Sequence, residues 1–308
     1  MNGSPLFSVV IPAYNKEAYI RDTITSVLSQ TCSLYEVIMV GGSSSDQTDV
    51  ICQEFTEKDP DKFLFVTQSG TGAAHARNDG ILAARGKYVA FLDADDIWLP
   101  EYLEIMGRLI SDFPEAIMYA SNLLRRYPNG LVVGPPDTWT RGYIDYFQKA
   151  SWTILRTSAL IADKRALIES GLFKIDYMIG EDVDLMTRMA LNGKVAYEPK
   201  LLGTYLAELP ESLYMYRRGF PVLVPGEPEL YAVERTTQIV EWHEKRILAT
   251  VLENLDRGNH KEAREQLNRI HIAETKKVQL CWILSYLPTP IFVWIHVFYD
   301  KYVWQKKR

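Results

Sequence analysis

Cysteine is scarce in this chain of 308 residues, with three in all. Cys32, Cys52 and Cys281 have the spacing of neither a disulfide framework, nor a redox motif, nor a metal site. That excludes a disulfide-stapled secreted scaffold and points to a reducing, cytoplasmic setting. A charged leader is missing before the first apolar run, and Pro12 and Asn15 break that run too early for a signal peptide. No glycine-rich, lysine-bearing phosphate loop follows it, which disfavours a nucleotidyltransferase. Basic residues are in deficit over most of the chain: the net charge is −5, yet 276–308 holds six Lys and Arg against one Asp. An acidic body with a basic tail argues against nucleic acid as a partner and for attraction of the tail to an anionic surface.

What is present is a hydrophobic content of 47%, enough for one large domain or two smaller ones. Phe7 to Ile11 reads as a buried strand stopped by Pro12. Glu17 to Gln30 reads as a helix with Ile20, Ile24, Val27 and Leu28 at helical spacing. Tyr35 to Val40 is a second strand, and a Gly/Ser loop leads from it into a helix through Val50, Ile51 and Phe55. Phe63 to Thr67 is a third, followed by a helix over Ala73 to Ala84. With a fourth strand near Tyr88, the alternation predicts a parallel sheet with right-handed crossovers.

Farther along, strands are expected at Met118–Asn122 and Ser151–Ala162, with a short helix at Asp163–Ser170. Loops are expected at Tyr127–Pro136 and Leu209–Pro228. An apolar stripe from Tyr231 to Leu255, stopped by Asp256-Arg257-Gly258-Asn259, and a helix from Lys261 to Ile272 make a helical hairpin. The plan is thus an α/β domain over 1–225, a hairpin appendage over 226–275, and an apolar, aromatic and basic tail over 276–308. Pro288 and Pro290 interrupt Val278 to Tyr299. Two half-helices lying at a membrane surface therefore fit that segment better than one spanning helix, the alternative being a buried helix pair or an oligomer contact.

The stretch Lys87-Tyr88-Val89-Ala90-Phe91-Leu92-Asp93-Ala94-Asp95-Asp96 is a strand ending in three carboxylates. Asp93 and Asp95 have the spacing to share a face around the small Ala94. Mg²⁺ or Mn²⁺ is typically held by one or two such carboxylates together with substrate phosphates. In open α/β sheets ligands bind at the carboxyl ends of strands, where these acids fall. A solvated turn, with Asp96 capping the next helix, is the structural alternative.

Four stretches stand in order here: Phe7 to Glu17, Ser43 to Thr48, Ala74 to Tyr88, and Phe91 to Asp96. With the later Gly180-Glu181-Asp182-Val183-Asp184-Leu185 they closely resemble glycosyltransferase family 2 of the GT-A fold, over roughly residues 6 to 205. The resemblance implies a Rossmann-like, mostly parallel central sheet flanked by helices, and transfer of a sugar, with inversion, from a nucleotide-sugar donor to a hydroxyl of a saccharide or lipid-linked saccharide. It implies a donor, typically a UDP-sugar, lying near Pro12, Ala13, Tyr14 and Glu17. It further implies Arg77 orienting the base or the acidic motif, Asp93 at the ribose, the small Ala94 letting the donor approach, and Asp95 on an Mn²⁺ or Mg²⁺ ion that bridges the diphosphate. Glu181 and Asp182 match the family's Glu-Asp pair, in which the Asp deprotonates the acceptor hydroxyl. Arg77 as a structural ion pair, and the two acids as caps of a helix, are the plainer readings. Trp152 is either a sugar-stacking residue for the acceptor or a core tryptophan.

One departure stands out. Where the family commonly carries acids after the second strand, this chain has Gly41-Gly42-Ser43-Ser44, so the expected base-reading carboxylate is missing. A non-catalytic nucleotide-sugar-binding or assembly protein of the same fold is the alternative that this departure raises.

Overall fold

The computed structural model describes residues 4–127, 129–134, 139–148, 155–177, 180–206, 237–256, 258–268, 281 and 283–286. Two compact units divide the chain: Met1–Tyr177 with Glu181–Leu209, and Met178–Gly180 with Pro210–Arg308.

In the first unit strand and helix alternate as β1 (Phe7–Pro12), α1 (Ile20–Leu28), β2 (Tyr35–Gly41), α2 (Thr48–Lys58), β3 (Phe63–Thr67), α3 (Ala73–Ala83) and β4 (Tyr88–Phe91). The strands lie side by side in the order β3-β2-β1-β4, all parallel. β2 and β4 are buried along their whole length, and β1 up to Pro12, which is why their sequences read as unbroken apolar runs. Gly80 lets α3 lie directly on β1: a Cβ there would stand 2.3 Å from a Val10 methyl.

The sheet then changes character. After β5 (Ile97–Trp98) and α4 (Tyr102–Asp112) come β6 (Ala116–Arg126), β7 (Val132–Val133), β8 (Gly142–Ile144), a 3₁₀ turn at Thr157–Ala159, β9 (Leu160–Asp163), α5 (Lys164–Glu169), α6 (Glu181–Asn192) and β10 (Lys194–Leu206). The order continues β4-β9-β6-β10-β5. β9 is antiparallel to both β4 and β6, whereas β10 is parallel to β6. A parallel half is thus joined to a mixed half, and β4, β6 and β10 all end at the same edge.

The expected strand at Ser151–Ala162 forms only from Leu160, because the 3₁₀ turn occupies the residues before it; 151–154 lie outside the described residues. The short helix is α5, and the Asp163 carboxylate caps it by accepting from the Ala166 amide at 3.1 Å. Asp96 caps no helix, since β5 comes next and α4 begins only at Tyr102. α4 buries Tyr102, Leu103, Met106, Leu109 and Ile110 on one face, and the Tyr102 ring stacks on Trp98 at 4.0 Å.

The second unit contains the hairpin as α7 (Thr237–Asp256) and α8 (His260–Leu267). Its core is Ile247, Val251, Leu255, Ala263 and Leu267, joined by Cys281 and Leu284 from the start of the tail. Arg264 donates to the Ser285 carbonyl at 2.8 Å, so the described beginning of the tail packs on this hairpin. Among the described residues no helix is long and apolar enough to cross a membrane. The loop over 209–228 and the tail beyond 286 lie outside the described residues.

Candidate active site

The site begins where β4 ends. Arg77, on α3, is almost fully buried and reaches two acids: one guanidinium nitrogen donates to Asp93 Oδ1 at 2.8 Å, the other to Glu181 Oε1 at 3.1 Å. Burial opposes the charge on Arg77, but Asp93, Glu181 and Asp182 together outweigh it and raise the guanidinium above its ordinary value. The tip of β4 and the start of α6, far apart in sequence, are thereby drawn together. Asn78 braces the arrangement by exchanging hydrogen bonds with the Phe173 backbone, 2.9 Å each way, and the Phe173 ring lies 5.4 Å from the Arg77 guanidinium.

Asp93 takes a further restraint from Ser158, whose hydroxyl accepts from the Asp93 amide at 3.0 Å. Asp95 pairs with Lys16 at 2.7 Å, both side chains being only 16% exposed. Burial pushes the Asp95 carboxyl up; Lys16 pulls it back without cancelling the rise, and Asp93 adds to it. Asp96 is pushed well above the usual carboxylate range by burial and then by Asp95 and Asp93. It accepts from the Leu206 amide at 3.0 Å and so ties the end of β10 to the acidic tip. Ala94 is buried, and its carbonyl accepts from the Thr23 hydroxyl at 2.9 Å.

This crowding of carboxylates, with a cation already drawn to one of them, suits a hard divalent ion. Among the described residues no three His, Cys, Asp or Glu side chains are arranged to enclose a metal by themselves. A site that relies on one or two carboxylates and completes its shell with phosphate oxygens matches that geometry. Asp95 is the residue that would hold the ion.

The opposite side of the site is a double loop. Ala13 donates to Val40 O at 2.7 Å, Asn15 accepts from Ser45 N at 2.8 Å, and Lys16 N donates to Thr48 Oγ1 at 2.6 Å. Pro12 ends β1 half-buried, Ala13 is buried, and Tyr14 is 54% exposed. Glu17 and Asp46 clasp the two loops: Glu17 N donates to Asp46, and Gln47 N donates to Glu17 at 2.9 Å. Burial raises Asp46, but hydrogen bonds from Thr48 and from the Glu17 amide outweigh it and leave the carboxyl below its usual value.

Gly41 shows why the expected acid is absent. A Cβ at that position would stand 2.6 Å from Ala13 O and 2.9 Å from an Asp49 carboxylate oxygen. Asp49 itself reaches back from α2, accepting from Gly42 N at 3.2 Å, from Ser44 N at 3.1 Å and from the Ser44 hydroxyl at 2.9 Å. A carboxylate is therefore present at this loop, delivered by the helix instead of the strand. Lys16 and Asp49 are the two site residues that sequence reasoning passed over. An acid in the first turn after the loop, and a lysine beside a strand that neighbours β4, were the available signals.

At α6, Asp182 accepts from the Val183 amide at 2.8 Å. Asp184 turns inward, with Arg188 donating to it at 3.0 Å. Trp152 lies outside the described residues. Cys52 is buried, and its thiol is pushed up to about 12 by that burial and then by Asp49, which leaves it unreactive.

A sheet of this order with acids collected at the carboxyl end of β4 defines a GT-A-type α/β fold. A mannosyltransferase, PcManGT from Pyrobaculum calidifontis in complex with GDP-Man and Mn²⁺, superposes with a TM-score of 0.62 at 18% identity, over 99% of this chain and 83% of that one. S. aureus TarS 1-349 in complex with UDP-GlcNAc gives 0.58 at 18% identity, over 91% and 79%. Residues 8–160 match the family model for Glycosyl transferase family 2. Glycosyltransferase GlyA of Streptococcus pneumoniae is 35% identical over 68% of this chain, and minor teichoic acid biosynthesis protein GgaB of Bacillus subtilis is 37% identical over 30% of it. The matches span 30% of GlyA's length and 10% of GgaB's.

Proposed function

We infer that this protein transfers a sugar from a nucleotide-sugar donor to a hydroxyl of a saccharide or lipid-linked saccharide, with inversion, in the synthesis of a cell-surface polysaccharide or glycoconjugate. The observation that carries this reading is the Arg77 bridge, because it holds the acidic strand tip and the Glu181-Asp182 pair at one edge of the sheet. The base and ribose lie along Pro12, Ala13, Tyr14 and Asp93, with Asp49 and the Gly41–Ser45 loop facing the base. UDP-sugars are the first donors to try, since Asp49 offers uracil the carboxylate that Gly41 lacks. Asp95 would hold a divalent ion, which when bound would supply positive charge to the leaving diphosphate. Asp182 accepts the proton of the acceptor hydroxyl as that oxygen attacks the anomeric carbon from the face opposite the diphosphate.

Thermal unfolding with Mn²⁺ and a panel of UDP- and GDP-sugars tests the donor side. A matching donor should raise the midpoint of the wild type. Asp95→Asn should abolish that shift and lower turnover by about 100-fold or more. A shift untouched by Asp95→Asn would remove Asp95 from the site, and binding without any product would favour the non-catalytic reading.

The protein is further expected to work in the cytoplasm at the inner membrane face, through the basic and aromatic segment 276–308. Full-length protein should float with anionic liposomes and a chain truncated at 275 should not. Equal flotation of the two would sink the idea.

A further inference from the structure

Asp93 and Asp95 are held by cations of different kinds. Asp93 pairs with Arg77, whose buried guanidinium is shared with Glu181 and lies 5.4 Å from the Phe173 ring. Asp95 pairs with Lys16, its one ion-pair partner among the described residues, through a single oxygen, Oδ2, at 2.7 Å. Arg77 is fastened through both arms of its fork, whereas the Lys16 ammonium is fastened at one point on a flexible stem.

The backbone that carries Lys16 is anchored. Its amide donates to the Thr48 hydroxyl at 2.6 Å, and its carbonyl accepts from the Tyr19 and Ile20 amides at 2.9 Å each. Asn15, just before it, has a φ of 51°, in the left-handed region that asparagine tolerates, and its side chain accepts from the Ser45 amide. A change of partner by Lys16 therefore needs rotation of its side chain alone.

Asp95 is also the carboxylate that would take the divalent ion. The Lys16 ammonium already fills one ligating direction of Oδ2, and it would repel a second cation brought to the same group. Donor phosphates offer a displaced ammonium new oxygens, for which lysine is a suitable point charge. Lys16 stands on the loop after β1 and Asp95 just beyond β4, neighbouring parallel strands whose carboxyl ends share the ligand edge. We propose that Lys16 is a movable counter-cation, which holds Asp95, gives that carboxylate up to a divalent ion, and then pairs with a phosphate of the donor. The proposal rests on the donor and metal reading above. It couples the two ligands, because the lysine released by the one is the partner gained by the other.

The test is a set of binding measurements on the full chain: Mn²⁺ alone by paramagnetic resonance, UDP at saturating Mn²⁺ by calorimetry, and uridine by ligand-observed NMR. Lys16→Met should tighten Mn²⁺ alone by about tenfold, since the ion no longer displaces an ammonium. The same change should weaken UDP by about tenfold at saturating Mn²⁺, a charge-assisted bond having been lost, and leave uridine as it was. Lys16→Gln can still donate to Asp95 and should show the same two signs. It decides the matter if unfolding curves show that Lys16→Met has lost its fold.

Opposed signs are what a structural lysine would not give. Loss of a lysine that stays on Asp95 would tighten Mn²⁺ and UDP together, and loss of one that only shapes the loop would weaken both along with uridine. Either result overturns the proposal, as does an unchanged Mn²⁺ or UDP affinity. Mn²⁺ binding that Asp95→Asn leaves untouched would strike the metal reading itself, and this proposal with it.

Discussion

Asp182→Asn should lower turnover by about 10³-fold while donor affinity stays within about twofold of the wild type. The amide keeps the size and one oxygen of the carboxylate, so acceptance from the Val183 amide survives and α6 starts where it did. What is lost is a base able to take the acceptor's proton. Arg77 contacts Asp93 and Glu181, not Asp182, so the frame of the site is preserved. Initial rates at saturating donor and acceptor, beside donor titration by calorimetry, measure the two quantities separately. A fall in donor affinity equal to the fall in rate would make Asp182 a structural residue, and an unchanged rate would move the base elsewhere.

Arg77→Met should be the most damaging single change to the fold among the site residues. Removing one partner of a buried ion pair leaves the other charges uncompensated, at a cost of about 3–5 kcal/mol where burial is complete. Here Glu181 is 14% exposed and Asp93 is 39% exposed, so water offsets part of the loss. A cost of about 2–3 kcal/mol is expected, or a fall of roughly 5–10 °C in the unfolding midpoint. Activity should fall further than stability explains, because Asp93 and Glu181 then repel each other across the site. Arg77→Lys should recover stability in part and activity little, since one ammonium cannot hold both acids in the fork geometry. Thermal unfolding and rates measured on the same preparations settle the matter. A fully stable Arg77→Met protein would show that the bridge is incidental.

β1, β2 and β4 were legible because each is covered on both faces, which writes burial into the sequence as an unbroken apolar run; β3, at the edge of the sheet and partly exposed, was marked by its short apolar run alone. The acidic tip and the Glu-Asp pair could be found as motifs, and the structure joins them through Arg77. β10 escaped the same reading. It carries Pro199 and Lys200 and shifts register against β6, so neither alternation nor an apolar run marks it. β5 has two residues, too few for any period to show. Lys16 and Asp49 were hidden for another reason. Lys16 meets Asp95 only because β1 lies beside β4, far away in sequence, and Asp49 meets the nearby Gly42 and Ser44 through the turn of the loop onto α2, which no periodicity marks. Capping of the next helix, the alternative reading for Asp96, fails because that helix starts only at Tyr102, and the bond that Asp96 does make reaches Leu206 on β10.

The late arrival of β10 bears on how the chain is made. β6 acquires its parallel neighbour, and β5 its one partner strand among the described residues, when residues 194–206 are available. On a ribosome, the segment matching the family would emerge without β10 and with only the first residue of β9, leaving β5 unpaired and β4 and β6 short of neighbours, edges open to pairing with other chains. A fragment ending at residue 160 would carry the acidic tip and lack Glu181, the second anchor of Arg77. Expression trials that stop at the family boundary should therefore give aggregates, and the shortest soluble product should reach past Leu206.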